Sequence, residues 1–196
     1  MPTYSFKVEK SPQEINISHR ASTYSFRIAT WSQGYFRFRL GGEKLVVSCN
    51  DFDNYELVFP GLHLNPRLQY VEIGAGLGGL IKAIDAKGTQ HKPIVIDPAN
   101  YELMLAILEE TKSRASYGPQ IKHLNELIAR AKLILDPSKV TLINSTLGQA
   151  FADYPELERV ADVVVDNMGP LFNVETENRI PLNKEMDTEA RVRILR

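Results

Sequence analysis

The segment Val71-Glu-Ile-Gly-Ala-Gly-Leu-Gly-Gly79 carries the densest chemical signal in this chain. Its glycines open backbone angles closed to other residues and let the main chain approach a ligand closely. An apolar run leads in and a helical pattern leads out, so a ligand held there would lie near a helix N-terminus. Asp97 ends the next apolar run, Pro93-Ile-Val-Ile96. A carboxylate in that place can accept both hydroxyls of a ribose. Glycine loop and strand-end acid together read as a nucleoside site. Two further polar pairs end later apolar runs: Asn144-Ser145 after Val140–Ile143, and Asp166-Asn167 after Ala161–Val165. Blander roles compete for each. The loop could be only a tight turn, Asp97 a helix cap, and Asn144, Ser145 and Asp166 simple turn residues.

Gly74, Gly76 and Gly79 also satisfy the G-x-G-x-x-G of dinucleotide-binding turns. Glu72 counts against a nicotinamide enzyme, because such a strand buries an apolar residue two places before its first glycine.

The elements that must position these residues fall in two zones. Residues 1–65 hold most of the aromatics and alternate apolar with polar over short runs. Thr3-Tyr-Ser-Phe6 recurs as Thr23-Tyr-Ser-Phe26. Tyr35-Phe-Arg-Phe-Arg-Leu40 alternates strictly and meets Gly41-Gly42 before Lys44–Val47, a β-hairpin signal. This zone predicts an antiparallel, β-rich segment. Residues 66–196 predict a Rossmann-like α/β domain, with strands over 68–73, 93–96, 140–144 and 161–165. Helices are expected over 79–86, 101–112 and 121–135, with a loop through Tyr117-Gly-Pro119. Strands alternating with helices imply a parallel sheet. A further amphipathic helix is expected from Asp187, with Val192 and Leu195 on one side.

An acid followed by G-x-G-x-G resembles the first motif of class I S-adenosylmethionine-dependent methyltransferases. Ile96-Asp-Pro-Ala-Asn-Tyr-Glu-Leu-Met-Leu105 is similar to that family's second motif, and Asp166-Asn-Met-Gly-Pro170 to its fourth. The resemblance covers roughly residues 66 to 172. It implies S-adenosyl-L-methionine as cofactor. Gly74, Ala75, Gly76 and Gly78 would line its methionine and ribose, and Glu72 would support the loop and the amino end. Asp97 would bind the ribose hydroxyls and Pro98 pack near the adenine, whose edge would meet Asn144 or Ser145. Asp166 and Asn167 would face the sulfonium and the acceptor, with Asp166 as the candidate base. Asp166-Asn-Met-Gly is not the Asn/Asp-Pro-Pro-Tyr/Phe signature of amino-group methylation, so that acceptor class is not assigned.

The same resemblance expects seven strands, and four parallel strands are legible. The open edge beside the fourth predicts a homodimer or another partner contact. An aminopropyltransferase of the polyamine synthase group is the alternative enzyme; that group also sets a β-rich segment before a nucleoside-binding domain. A non-catalytic cofactor-binding subunit is the alternative outside enzymology.

Composition bounds the rest. The chain has 196 residues, is 43% hydrophobic and 24% charged, and has a net charge of -1. That is ordinary for a folded domain and supplies no overall field for nucleic acid or a membrane surface. A small-molecule acceptor is the expectation. One cysteine, Cys49, makes neither a disulfide framework nor a structural zinc site. His19, His63, His91 and His123 lack ligand spacing, so no metal is expected. The first residues show no signal-peptide core, and no stretch approaches the ~20 apolar residues of a membrane span. A cytoplasmic protein is the expectation.

Overall fold

The computed structural model describes residues 62–166 apart from 117, five N-terminal strands, and a short strand near the C-terminus. The N-terminal strands are β1 (Lys7–Lys10), β2 (Glu14–His19), β3 (Ser22–Ile28), β4 (Phe36–Leu40) and β5 (Val46–Cys49). They form one sheet in sequence order, every pair antiparallel. Period-2 alternation fixes the register. Ile28, Phe36 and Cys49 align across three strands, as do Phe26, Phe38 and Val47. The first TYSF copy, the Gly41-Gly42 turn and Trp31 lie outside the described residues.

The second sheet has five strands: β6 (Tyr70–Ile73), β7 (Ile94–Ile96), β8 (Thr141–Ile143), β9 (Val163–Asp166) and β10 (Val192–Ile194). Their order is β10-β9-β6-β7-β8. The four strands β6 to β9 run parallel, the Rossmann-like arrangement expected from the strand–helix alternation. The chain starts at β6, steps outward through β7 to β8, then returns to lay β9 on the other side of β6. That reversal creates a switch point between β6 and β9, at whose carboxyl ends such sheets open a crevice.

By its internal packing the chain divides into two units. One takes Met1–Asp53, Gly76–Gly79 and Ala99–Lys132; the other takes Asn54–Ala75, Leu80–Pro98 and Leu133–Arg196.

In the first unit, α2 (Tyr101–Arg114) buries Tyr101, Met104, Ile107, Leu108 and Thr111, a stripe at helical spacing. Its N-cap is Asn100, whose side chain accepts a 2.9 Å hydrogen bond from the Leu103 amide. The next helix, α3 (Gly118–Leu135), starts three residues before the expected Ile121. Gly118 and Pro119, expected in a loop, form its first turn. Proline suits that turn, because an amide there has no partner within the helix.

In the second unit, α1 (Leu80–Lys87) follows the glycine loop and ends at Gly88, whose amide bonds to the Asp85 carbonyl at 3.0 Å. Two short helices, α4 (Leu147–Asp153) and α5 (Leu157–Val160), fill the connection from β8 to β9. They bury one face of the sheet: Val71, Ile73 and Ile96 cluster with Ala150, Leu157 and Ala161. Neither helix was expected from the apolar spacing. The available signal was Thr146-Leu-Gly-Gln149, in which Thr146 caps α4 and Gln149 stands three residues on.

Over Val192–Ile194 the structure corrects the helix expected from Asp187; the rest of that expected helix lies outside the described residues. Val192–Ile194 is extended and pairs antiparallel with β9, Val192 opposite Val165 and Ile194 opposite Val163. The physical reason is the unsatisfied row of amides and carbonyls that β9 would otherwise present, which a Val-Arg-Ile segment fits. The edge that the sequence pattern left open is therefore filled from within the chain. Among the described residues no helix is long and apolar enough to cross a membrane.

Asn100→Ala should destabilise the protein by about 1 kcal/mol, the usual cost of losing an N-cap side chain. Urea unfolding of the two proteins measures this, and an unchanged midpoint would show that the cap contributes nothing.

Candidate functional site

All four residues of β6 are buried, and one of them is an acid. Glu72 is 1% exposed. In register it lies between Val95 of β7 and Val165 of β9, neither of which offers a hydrogen-bonding side chain. Among the described residues, neither Glu72 carboxyl oxygen has a hydrogen-bond partner. An ionised carboxylate left so would be very costly, and the group responds by holding its proton. Burial, then the charges of Asp97 and Asp166, push its pKa from an ordinary 4.5 up to about 8.

Those two acids stand at the carboxyl ends of the strands that flank β6. Asp97 directly follows β7 and is 4% exposed; Asp166 is the last residue of β9 and is 6% exposed. Sequence separates the three acids widely, and parallel pairing brings them to one end of the sheet. Asp97 is held at its backbone. Its amide donates to the Ile143 carbonyl at 3.1 Å, and the Asn144 side-chain amide donates to its carbonyl at 2.8 Å. Its side chain does not cap α2, since Asn100 does that. The helix-cap alternative for Asp97 is thereby set aside. Asn144, expected near an adenine, spends its amide group on Asp97.

The glycine loop begins where β6 ends. The Gly74 amide still follows the ladder, donating to the Ile96 carbonyl at 2.9 Å. Gly74 then takes φ 64° and Gly76 φ 52°, left-handed values that glycine adopts without strain. Gly78, given an equal role by the motif, is not in that region. The later part of the loop is tied down by residues that the motifs did not single out. The Tyr101 hydroxyl donates to the Gly76 carbonyl at 2.9 Å, and the buried Arg130 guanidinium donates to the Leu77 carbonyl at 3.1 Å. Glu126 pairs with Arg130 at 3.0 Å. Tyr101 and Arg130 sit at buried positions of amphipathic helices; a buried arginine was the signal available in the sequence pattern.

The remaining expected residues are dispersed around this core. Ala75 is buried, Pro98 and Asn144 are exposed, and Ser145 is half-buried. Asn167 lies outside the described residues. Among the described residues no group of three His, Cys, Asp or Glu side chains is placed to hold a metal ion. A separate groove of about 370 Å³ lies beside β8 and α5, lined by Ile94, Leu142, Ile143, Tyr154, Leu157 and Val160 among others. It holds none of the three acids. Its polar lining, Gln69, Thr141 and Glu156, is scattered among apolar residues and lies away from the switch point, so the acid cluster is the better candidate site.

Arranged in this way, the carboxyl end of the sheet can bind a cation, hold hydroxyl groups and take up a proton.

The sequence matches no family model and no curated protein. Among solved structures it is similar to a Methanococcus jannaschii fibrillarin, described as a pre-rRNA processing protein. The identity is 11% and the TM-score 0.33, over 85% of this chain and 65% of that one. The chain thus spans just under two thirds of that protein's length.

The buried acid sets a pH dependence of stability. Below pH 4.5 Glu72 is protonated whether the chain is folded or not; from there to about pH 8 the unfolded chain gives up the proton and the folded one keeps it. Stability therefore falls as pH rises through this window and levels above it. Glu72→Gln should remove that fall and be more stable than the parent at alkaline pH, by on the order of a few kcal/mol. Denaturant unfolding from acid to alkaline pH reads this out. Parallel curves for the two proteins would contradict the assignment.

Proposed function

We propose that this chain is an S-adenosylmethionine-dependent methyltransferase acting on a small acceptor. The observation that carries the reading is the convergence of Glu72, Asp97 and Asp166 at the switch point, beside a turn that glycine's left-handed angles make possible. A nucleoside with a positively charged tail matches such a site at both ends. Asp97, whose backbone is held by Ile143 and Asn144, would accept the two ribose hydroxyls. Gly74 and Ala75 give the ligand a close approach to the main chain. Glu72 supplies the negative charge facing the ligand's amino end.

When bound, the cofactor supplies a methyl group already activated by its sulfonium. The work left for the protein is to align a nucleophile, exclude water, and remove a proton where the acceptor has one to lose. Asp166, buried at the end of β9, is the group proposed to take that proton. Asn167 follows it and would help orient the acceptor.

A second reading shares the nucleoside but transfers an aminopropyl group. The acid cluster favours it to the extent that an amine acceptor is a cation. It ranks lower because Asp166 is followed by Asn-Met-Gly-Pro rather than by another acid.

Calorimetric titration with S-adenosylmethionine, its decarboxylated form, S-adenosylhomocysteine and NAD ranks these readings. S-adenosylmethionine and S-adenosylhomocysteine should bind and NAD should not; preference for the decarboxylated form would favour aminopropyl transfer. Asp97→Ala should weaken the nucleoside by on the order of 1–3 kcal/mol through lost charge-assisted hydrogen bonds. Unaltered affinity in this variant would remove Asp97 from the site.

A further inference from the structure

Glu72 is not needed by the fold. A strand buried at every position, flanked in register by two valines, would be satisfied by an apolar side chain. Instead it carries a carboxyl group whose two oxygens find no partner among the described residues, next to two more acids. The groups whose charges act on it among the described residues are Asp97 from the end of β7 and Asp166 from the end of β9, both negative. On its own strand, the polar neighbour is Tyr70, whose hydroxyl is engaged with Asn65. Buried, with two negative neighbours and no hydrogen bond among the described residues to hold a charge, Glu72 keeps its hydrogen when no cation is present.

We propose that a cationic ligand enters this site in exchange for a proton: its ammonium or sulfonium replaces the hydrogen that neutralises Glu72. The inference rests on the nucleoside reading given above and adds a regulatory property to it. The balance is simple. The protonated carboxyl loses its O–H proton to solvent buffer, the carboxylate remains, and the ligand's positive charge takes over its neutralisation. No bond to carbon is made or broken. The charge of the site is the same before and after, so a positive ligand is accommodated without adding a net charge to a dry environment. An uncharged nucleoside gains nothing from this exchange, because it offers no substitute for the proton it would have to displace. Burial and the two neighbouring acids, which push the Glu72 pKa up to about 8, place the exchange in the physiological range. Acidification then competes with the ligand, since the proton and the cation claim the same carboxylate.

The test is titration calorimetry of the full chain in two buffers of different ionisation enthalpy, at about pH 6.5, where the ligand's ammonium is fully charged. S-adenosylmethionine is the probe, with 5′-methylthioadenosine as the probe lacking the charged tail. For the parent protein, S-adenosylmethionine should release about one proton per site, and its Kd should tighten by close to a factor of ~10 per pH unit between about pH 6 and pH 7.5. Methylthioadenosine should release none, and its affinity should not change with pH. In Glu72→Gln the proton release should vanish. Binding of S-adenosylmethionine with equal heats in the two buffers would overturn the exchange while leaving the nucleoside reading standing. Failure of both probes to bind would overturn the nucleoside reading itself. Release persisting undiminished in Glu72→Gln would assign the proton to another group and overturn the role given to Glu72.

Discussion

A carboxyl group that finds no hydrogen-bond partner among the described residues, set between two valines inside the second sheet, is the constraint on which the carboxyl end of that sheet depends. Everything that makes β6 a good core strand makes Glu72 a poor core residue. Its strand neighbours are apolar, its exposure is near zero, and the charges that reach it are of its own sign. The group can stay only by carrying a hydrogen or by facing a cation. That choice makes the stability of the sheet depend on pH.

The topology supplies the other half of the arrangement. Because the chain leaves β6 in one direction and returns on the other side, the ends of β7 and β9 flank the end of β6. Asp97 and Asp166 reach the same place by two different crossovers. Two hydrogen bonds at Asp97 use its backbone, from Ile143 on one side and Asn144 on the other. Both hold the backbone where β7 ends. In water the same three acids would be screened and indifferent to one another.

Edges matter to this sheet as much as its centre. β10 covers the outer side of β9 with three residues taken from the far end of the chain. A parallel strand would have needed a crossover; an antiparallel one needs only that the chain return to the edge.

Much of this was legible in the residues alone. Apolar runs ending in polar residues marked β6, β7, β8 and β9 to within two residues, and the 3.6-residue spacing of α2 and α3 was plain. The glycine loop announced itself, because a left-handed turn after a strand demands glycine. Short elements were missed: α4 and α5 are too brief for periodicity to register. Val192–Ile194 has a composition that suits a helix end or a strand equally. Its state is set by the hydrogen-bonding row of β9, which is a fact about the sheet and not about the segment. The acids followed the same division. Their identity and their places at strand ends were written in the sequence, but each could have been a turn residue or a cap. Only the packed sheet decided that Glu72 has no partner, that Asp97 leaves the helix cap to Asn100, and that the three carboxyls share one end. Local pattern determines which residues enter a strand; which strands become neighbours, and hence which charges must tolerate each other, is decided by long-range pairing.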